Sequence, residues 1–352
     1  MSTLQPAPAG LQLPGAPEID GLTFRLATDA DWDVIATLLT RARAADGVDE
    51  VRTGADLRAE YEPLDAFSIG RDVLAAELDG SVVGLAVGTL AHREGALNAE
   101  TWGTVDPAHR NRGIGTAMWR WTVDRLTGEA EADPRPGPRG LRSFAVESEA
   151  SDIALLTDQG YVPIRHGFEM RRPLTGQLPA HPVPDGLEMR PVTDAQHRAI
   201  FAADNEAFED HWGHRVQTDG DFVARFSGPD VDTGLWQVAW DGDEVAGVVM
   251  NAIFAVENEA LGVQRAWLEH VSVRRPWRGR GVAKALVAAS FEALQARGIT
   301  EAWLGVDASN PTGALRLYEG LGFTVARRWH AYGRPLDRPA PAGWTPEGES
   351  HS

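Results

Sequence analysis

Cysteine is absent from the 352 residues. That excludes disulfides, thiol catalysis and thiolate-held metal. Lysine is almost absent: Lys284 is the only one, so positive charge is carried by arginine. Basic residues are in deficit overall, 33 against 51 acidic, for a net charge of −18. Such a balance argues against broad nucleic-acid binding. It weakly favours cationic small molecules, which an acidic field attracts. No apolar run reaches the 18 residues a membrane-spanning helix needs. Met1 to Ile19 is rich in Pro and Ala with no basic start, unlike a secretory signal. These absences lead to an expectation of a cytoplasmic protein with no membrane or nucleic-acid partner. The length suits two domains of ordinary size.

The most informative stretch runs from Trp267 to Ala283. Trp267, Glu269, Val271 and Val273 alternate, which predicts a strand with those four side chains on one face. Arg278-Gly279-Arg280-Gly281 then reads as a tight turn where backbone must stay bare. Ala283, Leu286, Val287, Ser290, Phe291 and Leu294 recur at helical spacing. A glycine turn opening a helix presents unpaired N–H groups at the positive end of a dipole, a site for a pyrophosphate. Arg274, Arg275, Arg278 and Arg280 gather there against the acidic background. The spacing is not that of a P-loop or a dinucleotide fingerprint.

The chain also repeats itself. Phe24 to Asp29 resembles Met189 to Asp194, and Leu78 to Gly84 resembles Trp240 to Gly247, a hairpin with an Asp-Gly turn in each case. Val105 to Gly115 resembles Val273 to Ala283 at a constant offset (281 − 113 = 168). Gln159-Gly-Tyr161 matches Leu321-Gly-Phe323 at another (322 − 160 = 162). The change falls in the Pro/Gly loop Asp133 to Gly140, where insertions are tolerated. The expected organisation is an N-terminal tail 1–19, a first α/β unit 20–172, a Pro-rich linker 173–186, a second unit 187–335 and a tail 336–352. Both tails are expected to be disordered. Each unit is expected to form a mixed, mostly antiparallel sheet flanked by helices.

The pattern Arg-x-x-Gly-x-Ala from Arg278 to Ala283, with Asn310, Ala314, Tyr318 and Gly322-Phe323 on and after a later helix, resembles the GNAT (GCN5-related) N-acetyltransferase superfamily. The resemblance covers both units. It implies an acetyl-CoA-dependent transferase acting on a small-molecule amine, with Arg278, Gly279, Arg280, Gly281, Val282 and Ala283 holding the pyrophosphate. Val271, Ser272 and Val273 offer backbone groups to the thioester and pantetheine, and Asn310 touches the CoA arm. Glu269 is the expected base and Tyr318 the expected acid beside the thioester sulfur. An amine of pKa near ~10.4 must lose a proton before it attacks, so the reaction needs such an acceptor. His270, on the opposite face, is the second candidate base.

In the first unit Thr101 stands in the slot of Glu269 and Leu156 in that of Tyr318. Arg110, Gly113 and Gly115 keep the phosphate turn. This copy is expected to hold CoA or the fold without catalysing. Asp210, His211 and Trp212 are the candidate acceptor-binding residues, by charge and an aromatic face. His211 and His214 have no evident third ligand, so no metal is expected. Two copies in one chain suit a monomer that mimics a dimer. The alternative is a non-catalytic acyl-CoA-binding tandem. The acceptor's identity, and N- against O-acetylation, stay open.

Overall fold

The computed structural model describes residues 10–65, 67–93, 96–310 and 313–336. The described residues divide into two compact units, the first ending at residue 164 and resuming at 330, the second spanning residues 165–329. Among the described residues no helix is long and apolar enough to cross a membrane.

The first unit contains β1 (Leu22–Leu26), α1 (Trp32–Ala45), α2 (Gly54–Tyr61), a single turn α3 (Ile69–Asp72), β2 (Val73–Leu78), β3 (Ser81–Arg93), β4 (Ala96–Val105), α4 (Ile114–Ala132), β5 (Arg139–Val146) and α5 (Ala150–Asp158). Strands β1 to β4 pair antiparallel in chain order, and β4 pairs parallel with β5. The β2–β3 turn puts Asp79 at φ 50° and Gly80 at φ 79°. Two successive positive φ values match the right-handed twist of a hairpin. Alternation along β3 sends Leu85 and Val87 to the α1–α2 side and Ala86 to the α4 side. Helices therefore cover both faces of the sheet.

The chain continues through β6 (Val162–Pro173), β7 (Glu188–Met189), α6 (His197–Ala207), α7 (Asp219–Ser227), β8 (Gln237–Asp241), β9 (Glu244–Ala252), α8 (Ala255–Leu261), β10 (Arg265–Val273), α9 (Val282–Ala296), β11 (Glu301–Asp307), α10 (Ala314–Gly320) and β12 (Thr324–Pro335). Within the second unit the strand order is β12–β6–β11–β10–β9–β8–β7. β6–β11, β9–β10, β8–β9 and β7–β8 pair antiparallel, and β10 pairs parallel with β11. Val248 and Met250 of β9 pack with Ile200 and Ala203 of α6. Ala246 and Val249 pack on the other side with Leu286 and Phe291 of α9.

These units differ from the expected boundaries at three places. Residues 10–19 are not a loose tail: Leu13 is buried in a cluster with Phe24 and Ile114, and the Leu11 N–H donates to the Phe24 carbonyl at 2.6 Å. The segment 173–186 belongs to the second unit, with Leu174 buried in its core. Residues 330–335 belong to the first unit, where Tyr332 and Leu336 bury with Leu97, Leu141 and Tyr161. Apolar side chains inside Pro-rich or terminal stretches explain the first and last differences, since burial outweighs local composition. Residues 1–9 and 337–352 of the two expected tails lie outside the described residues.

Candidate functional site

The glycine turn forms as its sequence demands. Gly279 has φ 74° and Gly281 φ 90°, with Gly281 capping α9. A Cβ at either position would meet nothing within 4 Å. The glycines are therefore required by backbone conformation, and the space above the turn is open. The first hydrogen bond into α9 runs from the Ala285 N–H to the Gly281 carbonyl at 3.1 Å. The N–H groups of Val282, Ala283 and Lys284 thus have no intrahelical acceptor. No acidic residue stands in the first turn of α9.

The arginine cluster is mostly committed elsewhere. Arg278 donates to Asp210 at 2.6 Å, to the Val273 carbonyl at 2.9 Å and to the Ala207 carbonyl at 2.9 Å. Arg275 also binds Asp210, and Arg274 binds Glu206 and Glu244. Among the described residues Arg280 reaches only the Asp185 carbonyl, at 3.1 Å. Arg280 and the exposed Lys284 are therefore cations at this turn without a carboxylate partner among the described residues. Lys284 lies one residue beyond the motif, and the motif alone does not mark it.

The first unit repeats the turn in detail. Asn111 at φ 59° and Gly113 at φ 83° take the places of Gly279 and Gly281. Arg110 donates to Asp46 and to the Val105 and Ala42 carbonyls, as Arg278 does to their counterparts. One difference is local: a Cβ on Gly113 would meet Pro17 at 3.6 Å. The N-terminal segment lies over this turn.

Both units open a slot beside it. β10 pairs with β11 only at Arg265–Trp267 with Glu301–Trp303, while it stays paired with β9 to Val273. β4 pairs with β5 only at Leu97–Glu100. The backbone edge from residue 268 onward, Val271, Ser272 and Val273 included, is thus unpaired towards β11. In the first unit a cavity of about 470 Å³ occupies the corresponding region. Thr101, Trp102, Gly103, Thr104 and Val105 line it, with Gly113, Gly115, Asp152 and Leu156. Burial, then the neighbouring Glu149, pushes the Asp152 carboxyl up to about 7.

The expected single face of β10 does not form. The register with β9 shifts between Leu268 and His270, so Glu269 is the extra residue of a β-bulge. Leu268, Val271 and Val273 pack on the α9 side. Glu269 is exposed. His270 turns towards α6, with Nδ1 3.0 Å from the Asp204 carboxylate. A bulge beside a site re-aims side chains in this way.

Tyr318 is buried at 6% exposure on α10, edge-on to Phe323 at 5.8 Å. Its hydroxyl has no hydrogen-bond partner among the described residues, and burial pushes the phenol well above its usual range. It stays protonated, as a donor must. The helix begins at Ala314 after Gly313 at φ 74°, not at Asn310. Asn310 lies in the preceding turn, where its carbonyl accepts from Gly313 at 3.3 Å. Residues 311 and 312, between Asn310 and this helix, lie outside the described residues. In the first unit Thr101 bonds Tyr161 at 3.2 Å and Leu156 is core.

The acceptor candidates are spoken for differently. Asp210 is held by Arg275 and Arg278, which keep its carboxyl well below the usual range. Trp212 stacks under Arg165 at 5.2 Å. His211 packs on Phe208 at 4.2 Å, and burial lowers its pKa. Asp210 is thus a strut for the turn rather than an open cation site.

A sequence model of the Acetyltransferase (GNAT) family matches residues 40–133 and 197–323. A mycothiol acetyltransferase of Salinispora arenicola is 33% identical over 85% of this chain and 91% of its own. One from Frankia alni is 31% identical over 90% and 96%. A GCN5-related N-acetyltransferase from Sphaerobacter thermophilus has a TM-score of 0.68 at 26% identity, covering 92% of this chain and 97% of that one. A tandem GNAT protein from the clavulanic acid biosynthesis pathway has a TM-score of 0.65 at 19% identity, covering 90% and 99%.

Proposed function

Since the chain belongs to the GNAT acetyltransferase family, we propose that its second unit carries the transfer, from acetyl-CoA to a primary amine of a small molecule in the cytoplasm. The observation that carries this is the contrast between the copies. They share the turn, yet the second alone combines an open turn, a histidine and a carboxylate on the unzipped strand, and a buried phenol.

The residues present fit acetyl-CoA. The N–H groups of Val282, Ala283 and Lys284, with Arg280 and Lys284, suit a diphosphate. The unpaired edge at Val271 to Val273 suits amide and carbonyl groups, and Asn310, in the turn before α10, is assigned to the CoA arm. The acetyl-CoA thioester supplies the activated acetyl group. Tyr318 holds a proton for the departing thiolate. Glu269, exposed on the bulge, draws the cationic acceptor. The relatives' name puts an amine of the mycothiol type first among acceptors to try.

Arg110, Gly113 and Gly115 maintain the first unit's fold around its cavity and contribute no catalysis. We read the two copies in one chain as a monomer that mimics a dimer, which the molar mass in solution by light scattering checks.

The test is thiol release from acetyl-CoA across a panel of aminosugars, polyamines and amino-acid amines. Glu269→Gln is expected to raise KM for the amine more than it lowers kcat. Equal loss of activity on Leu156→Ala and Tyr318→Phe would overturn the assignment to the second unit.

A further inference from the structure

We propose that His270, oriented by Asp204, is the group that takes the proton from the acceptor amine; this rests on the second unit being the site of transfer. Three observations carry it. His270 alternates with Val271 and Val273, which pack on the α9 side, and so faces α6 and α7. Asp204 is fully buried and lies 3.0 Å from Nδ1. Trp102, at the matching strand position of the first unit (270 − 168 = 102), lines that unit's cavity. His270 thus stands at a position that borders the slot.

The buried carboxylate favours one tautomer. Asp204 Oδ2 accepts from Arg225 at 2.6 Å and lies beside His270 Nδ1. Burial raises the Asp204 pKa, and His270 and Arg225 together outweigh it, so the carboxyl is held below its usual range. An ionised carboxylate accepts only, so Nδ1 carries the hydrogen and donates to it. Arg225 also lies 3.2 Å from Nδ1, and its bond to Asp204, at 2.6 Å, is the shorter of the two. Nε2 is then left with its lone pair. Asp204 from α6 and Arg225 from α7 are the charged groups facing the ring. Phe208 meets it edge-on at 5.1 Å and Met250 of β9 pairs with it in register. His211 also packs against Phe208, at 4.2 Å. This base-and-orienter arrangement is a general one.

The step balances. The acceptor ammonium gives one proton to Nε2, and the neutral nitrogen attacks the thioester carbon. The C–S bond breaks as the C–N bond is completed, and the sulfur leaves with its electron pair. The nitrogen's second proton goes to that thiolate by way of Tyr318, and the imidazolium returns its proton to solvent. Asp204 is a positioning residue and touches no reacting atom.

Two variants and two readouts test this. Nitrogen NMR of the wild type should show His270 as the Nδ1–H tautomer, and Asp204→Asn should mix the tautomers. In thiol-release assays His270→Ala should lower kcat by about 10²–10⁴-fold, leave KM for acetyl-CoA unmoved, abolish the limb on which rate rises with pH, and regain rate with added imidazole. A His270→Ala enzyme that keeps kcat and the limb overturns the proposal while the second unit's assignment stands, as does a wild-type ring protonated on Nε2. Activity sensitive to Gly113→Ala and indifferent to Gly281→Ala overturns the assignment and the proposal with it.

Discussion

Replacing Gly281 by alanine isolates what the turn contributes. Gly281 sits at φ 90° with nothing within 4 Å of a built Cβ. No clash arises, so the cost to folding is the backbone conformation alone. Left-handed backbone costs an L-residue about 1–2 kcal/mol. For a unit of this size, that corresponds to a fall in Tm of about 2–8 °C. Binding suffers separately, because the new methyl points into the space assigned to the diphosphate. Losing one charge-assisted N–H contact costs about 1.5–3 kcal/mol, roughly 10- to 150-fold in Kd. Gly113→Ala is the matched control: its φ is 83° and its Cβ would sit 3.6 Å from Pro17. It should show the same order of Tm loss without raising KM for acetyl-CoA. Calorimetry gives both quantities. A Gly281→Ala protein with unchanged Tm and unchanged Kd would refute the reasoning, and so would a Gly113→Ala enzyme with the same KM defect.

Tyr318→Phe loses no hydrogen bond to a described residue, so stability should hold while kcat falls at least tenfold; thermal unfolding and thiol release check the two halves. Asp204→Ala leaves Arg225 without its buried partner and should cost about 3–5 kcal/mol in denaturant unfolding. Gly167→Ala would place a Cβ 2.1 Å from the Trp329 ring and 2.5 Å from the Val306 carbonyl, so about 1–3 kcal/mol of overpacking is expected in the same assay. Asp152 binds its proton more tightly folded than unfolded, with its folded pKa at about 7. Stability should therefore fall as pH rises from the ordinary carboxylate range to about 7 and level off above it. Asp152→Asn should remove that slope, raising Tm at pH 8 relative to wild type and leaving it unchanged at pH 4.

The repeat was legible because it lies in local residue order. The 168-residue offset aligned Gly113 with Gly281, and the two share positive φ, 83° and 90°. Hairpins and the helix after each turn followed from Asp-Gly pairs and apolar spacing. The bulge was not legible. One extra residue at Glu269 changes which side chains share a face without disturbing the apparent alternation. Nor were long-range partners: Arg278 looks like a phosphate ligand until Asp210, 68 residues earlier in the chain, is seen holding it. His270 gains its interest only from Asp204 on a distant helix. The assignment of residues 330–335 to the first unit depends on pairing that no local pattern encodes.

The most direct measurement is a crystal structure with acetyl-CoA bound. The diphosphate should lie on the N–H groups of Val282 to Lys284, with the sulfur beside the Tyr318 hydroxyl. Cofactor density confined to the Gly113 turn, with the Gly281 turn empty, would contradict the account.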